Sequence, residues 1–536
     1  MKKYLHRCLA MILAAGICVS AANYKDVFAQ ATTQNTQETQ EVQNTENTED
    51  ADKTENTENT QNAEDGTQTT IPETNTTTIP SLQPTWLKAD GAPEITAGAA
   101  LLIDQTTGTI LYEKNADAKM YPASMTKILT ALVAMDYLKP DDLIVVGTEI
   151  NEVTLDSSKA GHKVGETITV ENVLRGLLIP SGNDSGNVLA AAVAKKVEND
   201  ENISFAKSEA IFTDLMNQKA EELGAINSHF TNTHGYHDDN HYSCAHDMAL
   251  FAMAFMQNET LAEIAAEKSF SGNGADGQAV DETKTFTQDY NWVSHNLLVT
   301  DNTYQYPYAI GIKTGFTDEA GECLTAAAEK DGRKLISVLF HGEDPTRWTE
   351  TASLFDYGFN NYEQVELVAA GAAIEELPLT KQNRLQGDTV PLVYQEPLIA
   401  ILPVGASQRL TNSVTIDETY QEEAKDGTMQ VKAPLQKGEQ IATVTYTLDG
   451  AQVAQLPAYA GADIEKATIF NQIQYFFQSL FNNLFTLKGL IGLVIVVVVI
   501  AAIFLVLRRV RSGGGRHRRS GYTLRTGSRR RGRRRW

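Results

Sequence analysis

Cysteine is scarce in this chain, with four in 536 residues. Cys8 and Cys18 stand close to the start, which leaves Cys244 and Cys323 for the folded part. A small disulfide-stapled scaffold is therefore excluded, and a chain of this length buries a core without staples. One bridge between Cys244 and Cys323 and two separate thiols are both compatible with the sequence. Other absences narrow the field further. No G-x-S-x-G occurs, so a Ser-His-Asp hydrolase has no local signature. Strands and helices do not alternate in a regular βαβ repeat, which argues against a doubly wound sheet. Residues 30–85 have almost no large apolar side chains, residues 489–507 have no charge, and residues 508–536 have no acid.

Each of these stretches has a physical reading. Lys2, Lys3 and Arg7 precede a mostly apolar run over 8–22, and Val27-Phe28-Ala29 offers a cleavage site, so residues 1–29 read as a secretory signal peptide. A lipoprotein reading of Cys18 is weaker, because the bulky Ile17 precedes it. Residues 30–85 are Thr, Gln, Asn and Glu, which cannot bury enough surface to offset ordering entropy, so an acidic disordered linker is expected. It serves as a tether or as solvated filler. Residues 489–507 span about 28 Å as a helix, close to a bilayer's hydrocarbon thickness. The thirteen arginines after residue 507 place that tail on the cytoplasmic side and the bulk of the chain outside. The formal net charge of −23 thus averages a basic tail with a strongly acidic remainder. The tail reads as a topology anchor touching anionic headgroups, not as a nucleic-acid binder.

Between the ends, residues 97–104 and 109–113 read as two strands around a turn. A mostly apolar helix is expected from Pro122, with two more over 170–179 and 188–197, and a buried strand over 335–340. Beyond residue 361 short alternating runs appear, and Asp449-Gly450 between two of them marks a hairpin. This predicts a small all-β domain over 362–467. From residue 468 to 488, Phe470, Ile473, Phe477, Leu480 and Leu484 recur at helical spacing. Such an amphipathic helix lies on a membrane surface or packs on a partner or on the β domain.

Three short motifs carry chemistry. In Ser124-Met125-Thr126-Lys127 the serine and lysine share one helical face. A serine hydroxyl needs an adjacent base, and a lysine serves only if burial lowers its pKa; Ile128, Leu129 and Leu132 supply apolar neighbours. Ser181-Gly182-Asn183 follows an apolar run ending in Pro180, which aims a hydroxyl and an amide into a cleft. Lys313-Thr314-Gly315 follows a strand-like run over 308–312 and offers a cation, a hydroxyl and close backbone approach for an extended peptide carboxylate. Two decoys exist. Ser204-Phe205-Ala206-Lys207 lacks a long apolar helix behind it, and Ser271-Gly272-Asn273 reads as a turn in a Gly-rich loop. His229, His234, His237, His241 and His246 cluster, with His237 and His241 at zinc-pair spacing; a metal site is the lesser reading, and Ser243 reads as an N-cap with Asp247 in or just after the first turn.

In order and context the three motifs resemble those of serine-type D-alanyl-D-alanine carboxypeptidases, the low-molecular-mass penicillin-binding proteins. The resemblance runs from about residue 87 to 467. It implies a mixed α/β transpeptidase fold of the penicillin-binding and β-lactamase kind over 86–361, an antiparallel sheet with helical clusters, followed by the β domain and a C-terminal transmembrane helix. It also implies that Ser124 is the nucleophile, Lys127 the base and Ser181 a proton relay. Asn183 would hydrogen-bond the substrate backbone and hold Lys127; Lys313, Thr314 and Gly315 would bind substrate, the amides of Ser124 and Phe316 would form the oxyanion hole, and Arg347 would add charge near the carboxylate. Gly182 stands where the class A β-lactamase motif has Asp, which favours the carboxypeptidases. The expected partners are peptidoglycan stem peptides, β-lactams and, through the C-terminal helix, a membrane; no metal or organic cofactor is expected. A β-lactamase of the same fold and a catalytically silent wall-binding scaffold are the rival readings.

Overall fold

The computed structural model describes residues 79–281, 283–484 and 486–512. The expected signal peptide (1–29), most of the expected linker and the tail beyond 512 lie outside the described residues.

One sheet organises the first domain. Its strands are Gln83–Pro84 (β1), Ala99–Asp104 (β2), Thr109–Lys114 (β3), Ala309–Thr317 (β4), Gly321–Lys330 (β5) and Arg333–Gly342 (β6). They lie in the order β1-β3-β2-β6-β5-β4, antiparallel except for the short parallel pairing of β1 with β3. Composition assigned residues 83 and 84 to the polar linker; they extend the sheet instead. Pro84 is tolerated there because an outer strand does not need every N–H in the ladder. The segment then crosses to the β domain, where Trp86 packs on Tyr446 with ring centroids 5.4 Å apart.

The sheet is buried on both faces, and the period-two rule sorts its side chains. Ala99, Leu101 and Ile103 of β2 join one apolar cluster, and Ala100 and Leu102 join the other. The first cluster is filled by helices Lys127–Tyr137 (α1), Val170–Leu178 (α2), Asn183–Glu198 (α3), Phe205–Glu222 (α4), Ala245–Gln257 (α5) and Glu259–Ala266 (α6). The second is covered by Thr346–Asn361 (α7), which contributes Trp348, Leu354 and Phe355. Helix α1 is buried over its first two turns and α5 over most of its length, which explains why neither shows a clean amphipathic stripe.

A seven-stranded sheet and the pair Tyr362–Val368 with Leu398–Pro403 follow α7. The expected hairpin is present: Gln440–Leu448 and Ala451–Ala460 join through Asp449 and Gly450, both at positive φ, as a tight turn of this hand requires. Helix Ile469–Leu484 (α8) exposes Phe470, Ile473, Phe477 and Leu480. Helix Leu487–Ser512 (α9) contains Gly489–Arg509, a span long and apolar enough to cross a membrane.

Candidate active site

The nucleophile motif opens with a 3-10 turn, Ala123–Thr126, that runs directly into α1. Residues i and i+3 eclipse in such a turn, which brings Ser124 under Lys127. The Nζ of Lys127 is 2.8 Å from Ser124 Oγ, 2.7 Å from Asn183 Oδ1 and 3.0 Å from the carbonyl oxygen of His234. Burial pushes the Lys127 ammonium well below its ordinary pKa, the charge of Lys313 adds to this, and Asp184 opposes it. A neutral lysine donates its two N–H bonds to Asn183 and His234 and turns its lone pair to the Ser124 hydroxyl. That is the geometry of a base poised on a nucleophile.

The second motif is set by backbone conformation. Ser181 sits at φ +60°, Gly182 is extended, and α3 begins at Asn183, five residues before the start the sequence pattern predicts. Asn183 N donates to Ser158 O at 2.8 Å, and its Nδ2 donates to Ser157 Oγ at 3.0 Å. Next to it the Asp184 carboxylate accepts from the amides of Ala160, Gly161 and His162 at 2.7, 2.9 and 3.2 Å. Ser157 and Asp184 went unnoticed in the sequence. Asp184 directly follows the motif and was a readable signal, whereas the Ser157 contact spans 26 residues and was not.

The third motif lies inside β4, at the end of the sheet. Lys313 is almost fully buried; its Nζ donates to Thr314 O at 3.0 Å, and burial followed by the charge of Arg347 lowers its pKa to about 7. A Cβ at Gly315 would stand 2.8 Å from Pro122 O and 3.1 Å from Ser124 N, so only glycine lets this strand lie against the nucleophile turn. Gly235 does the same from the other side: at φ +83°, a Cβ there would fall 1.7 Å from Ala123 O.

Ser124, Ser181, Asn183, Thr314, Gly315, Phe316 and Arg347 all line one cleft of about 880 Å³, with Lys127 and Lys313 buried behind it. Phe316 is exposed at the mouth. Arg347 pairs with Glu322, lies 3.6 Å from Asp344 and stacks over Trp348. Its charge is therefore partly met by protein carboxylates, and burial lowers its pKa to about 10.

The other flagged residues have separate tasks. Ser204 caps α4, its hydroxyl accepting from Lys207 N. Ser271-Gly272-Asn273 is not a turn but part of a strand, Ser269–Asn273, paired with Asp289–Val293, because the cross-strand partner supplies the ladder that local composition conceals. Cys244, not Ser243, caps α5; Ser243 Oγ bonds Ser228 Oγ instead. His241 Nδ1 accepts from Thr231 N, which leaves its Nε2–H for Thr126 Oγ1 at 2.8 Å, and burial lowers its pKa to about 3. His237 meets the Tyr121 ring edge-on, and among the described residues no three His, Cys, Asp or Glu side chains converge as metal ligands would. Cys244 and Cys323 are separate buried thiols, each pushed up to about 12 by burial.

Comparison with known proteins agrees with this geometry. The family model described as D-alanyl-D-alanine carboxypeptidase matches residues 87–344, and that of the penicillin-binding protein 5 C-terminal domain matches 362–466. D-alanyl-D-alanine carboxypeptidase DacF of Bacillus subtilis is 31% identical over 69% of this chain and 86% of its own length. DacA of Escherichia coli is 29% identical over 74% of this chain and 90% of its own. The crystal structure of penicillin binding protein 5 from Haemophilus influenzae superposes with a TM-score of 0.57 at 27% identity, covering 70% of this chain and 99% of that one.

Proposed function

Since the chain belongs to the D-alanyl-D-alanine carboxypeptidase family, we propose that Ser124, Lys127 and Ser181 carry its reaction and that Lys313, Thr314 and Asn183 hold its substrate. The activity is that of a serine-type carboxypeptidase removing the terminal D-alanine of peptidoglycan stem peptides. The single observation that supports these roles is the 2.8 Å contact between Ser124 Oγ and the Nζ of Lys127, whose pKa burial lowers.

The substrate's C-terminal strand lies along the outer edge of β4, with its carboxylate at Lys313 and Thr314. Ser124 Oγ attacks the penultimate carbonyl and its proton passes to Lys127. The oxyanion takes the amides of Ser124 and Phe316. The proton moves through Ser181 to the departing amine, and D-alanine leaves. Water, activated by the same lysine, then cleaves the ester. A β-lactam places its carboxylate and carbonyl alike, but its leaving group stays tethered, so the acyl-enzyme persists. Neither a metal nor an organic cofactor is needed for these steps.

We read residues 489–507 as a single membrane span with the catalytic domain outside and the arginine-rich tail inside, after removal of residues 1–29. The apolar length of α9 and the thirteen arginines over 508–536, a stretch with no acidic residue, support that reading. The exposed apolar face of α8 supports its placement on the outer leaflet.

The test is a time course of fluorescent penicillin on the protein, beside Ser124→Ala. A label that persists and is absent from the variant supports the carboxypeptidase roles. Rapid loss of label with consumption of penicillin makes the enzyme a β-lactamase, and no label at all makes it a silent scaffold.

A further inference from the structure

Behind the second motif lies another serine–histidine–carboxylate array, which the reaction above does not use. Ser185 Oγ is 2.8 Å from His162 Nε2, and His162 Nδ1 is 3.0 Å from Glu166 Oε1. These contacts match those of a hydrolase triad. Yet Ser185, His162 and Glu166 are 0%, 6% and 1% exposed, so no substrate reaches this serine. Tyr290 closes the array: its hydroxyl donates to Glu166 Oε1 at 2.5 Å and accepts from Gln288 Nε2 at 2.7 Å. His162 Nδ1 also lies 2.9 Å from the Tyr290 hydroxyl, both groups converge on Glu166 Oε1, and among the described residues Glu166 Oε2 has no hydrogen-bond partner. An apolar filling of similar volume is often at least as stable as such a buried pair, so a gain in fold stability is not a sufficient reason for it.

Its position points to a different role. The array joins the loop over 156–162, the first turn of α3 and the strand Asp289–Val293. The same strand donates Trp292 Nε1 to Ala160 O at 2.9 Å, and Gln288 Nε2 donates to Gly161 O at 3.0 Å. The loop so held presents Ser157 Oγ to Asn183 Nδ2 and Ser158 O to Asn183 N. An amide side chain has one oxygen and one NH2 group; with Nδ2 committed to Ser157, Oδ1 must face Lys127.

We propose that His162, Glu166 and Tyr290 are positioning residues that fix the 156–162 loop, so that Ser157 locks the Asn183 amide and Asn183 aims the Lys127 lone pair at Ser124. The inference rests on Lys127 being the base for Ser124. Its test is D-alanine release from a D-Ala-D-Ala peptide by the full chain carrying His162→Leu, Tyr290→Phe, Ser157→Ala, or His162→Leu with Ser157→Ala, each checked for cooperative thermal unfolding. His162→Leu lowers kcat on the order of 10–100-fold and leaves KM within about threefold, because Lys313 and Thr314, which hold the substrate carboxylate, are untouched and only the lesser substrate contact of Asn183 is disturbed. The double variant is no slower than His162→Leu alone, because both changes act through one contact. Tyr290→Phe keeps its ring stacked on Trp292 and decides the matter by the same kcat-against-KM split if His162→Leu does not fold. An unchanged kcat in the folded variants, a loss confined to KM, or multiplicative losses in the double variant overturns the proposal. Turnover by Ser124→Ala would instead overturn the reading on which it rests.

Discussion

Asn183 Oδ1 and Ser124 Oγ approach the same nitrogen, Lys127 Nζ, at 2.7 and 2.8 Å. In the proposed mechanism Asn183 accepts from the amine and Ser124 donates its hydroxyl proton to the amine's lone pair. The side chain between them is fully buried, and that burial lowers its pKa, so the proposed base role depends on what surrounds the lysine.

Replacing Lys127 by Arg tests that dependence. A guanidinium stays charged and cannot accept a proton. Acylation by penicillin is expected to fall on the order of 10²–10⁴-fold, the usual contribution of general base catalysis. A stopped-flow or gel-based acylation rate measures it, and a loss of less than about threefold would remove Lys127 from the base role.

The pH profile carries two signs. Lys127 acts as the neutral amine, so kcat/KM rises as pH climbs through its lowered pKa. Lys313 is proposed to bind a carboxylate as the cation, so kcat/KM is expected to fall as pH climbs through its value of about 7. A bound carboxylate favours charged Lys313 and moves the descending limb of kcat to higher pH than that of kcat/KM. In Lys313→Arg the descending limb disappears, since arginine does not titrate there.

Gly235→Ala is expected to be severe. Its Cβ would overlap the Ala123 carbonyl, and φ +83° is strained for alanine. The loop must move, taking with it the His234 carbonyl that Lys127 uses. Differential scanning calorimetry should show a loss of about 1–3 kcal/mol or more, with penicillin acylation falling in parallel. Gly332→Ala, where nothing lies within 4 Å of the added methyl, separates the two causes: at φ +80° it keeps the strain and lacks the overlap.

Anchoring is tested by cutting the chain after Ala467. The full chain is expected to remain with membranes after carbonate washing, while the shortened chain is released and still binds penicillin. A shortened chain that stays with the membrane would place the anchor elsewhere.

Much of this was legible along the chain. The three motifs, the hairpin at Asp449-Gly450 and the apolar span over 489–507 are local patterns, and local patterns are what propensity and spacing report. The misplaced details share one cause. Gln83 and Pro84 become a strand because β3 lies beside them, and Ser271-Gly272-Asn273 becomes a strand because residues 289–293 do. The cap of α5 moves from Ser243 to Cys244 because Ser243 is drawn to Ser228.

The sequence by itself determined which chemical groups are available and in what order: a serine three residues before a lysine, a second hydroxyl with an amide, and a cation on a strand. Tertiary structure decided which of the two S-x-x-K lysines is buried beside its serine. Lys127 is buried against Asn183 and His234, whereas Lys207 stays at the surface paired with Glu198. A lysine's pKa is set by the solvent it has lost and the charges it faces, and those come from residues far away in the chain.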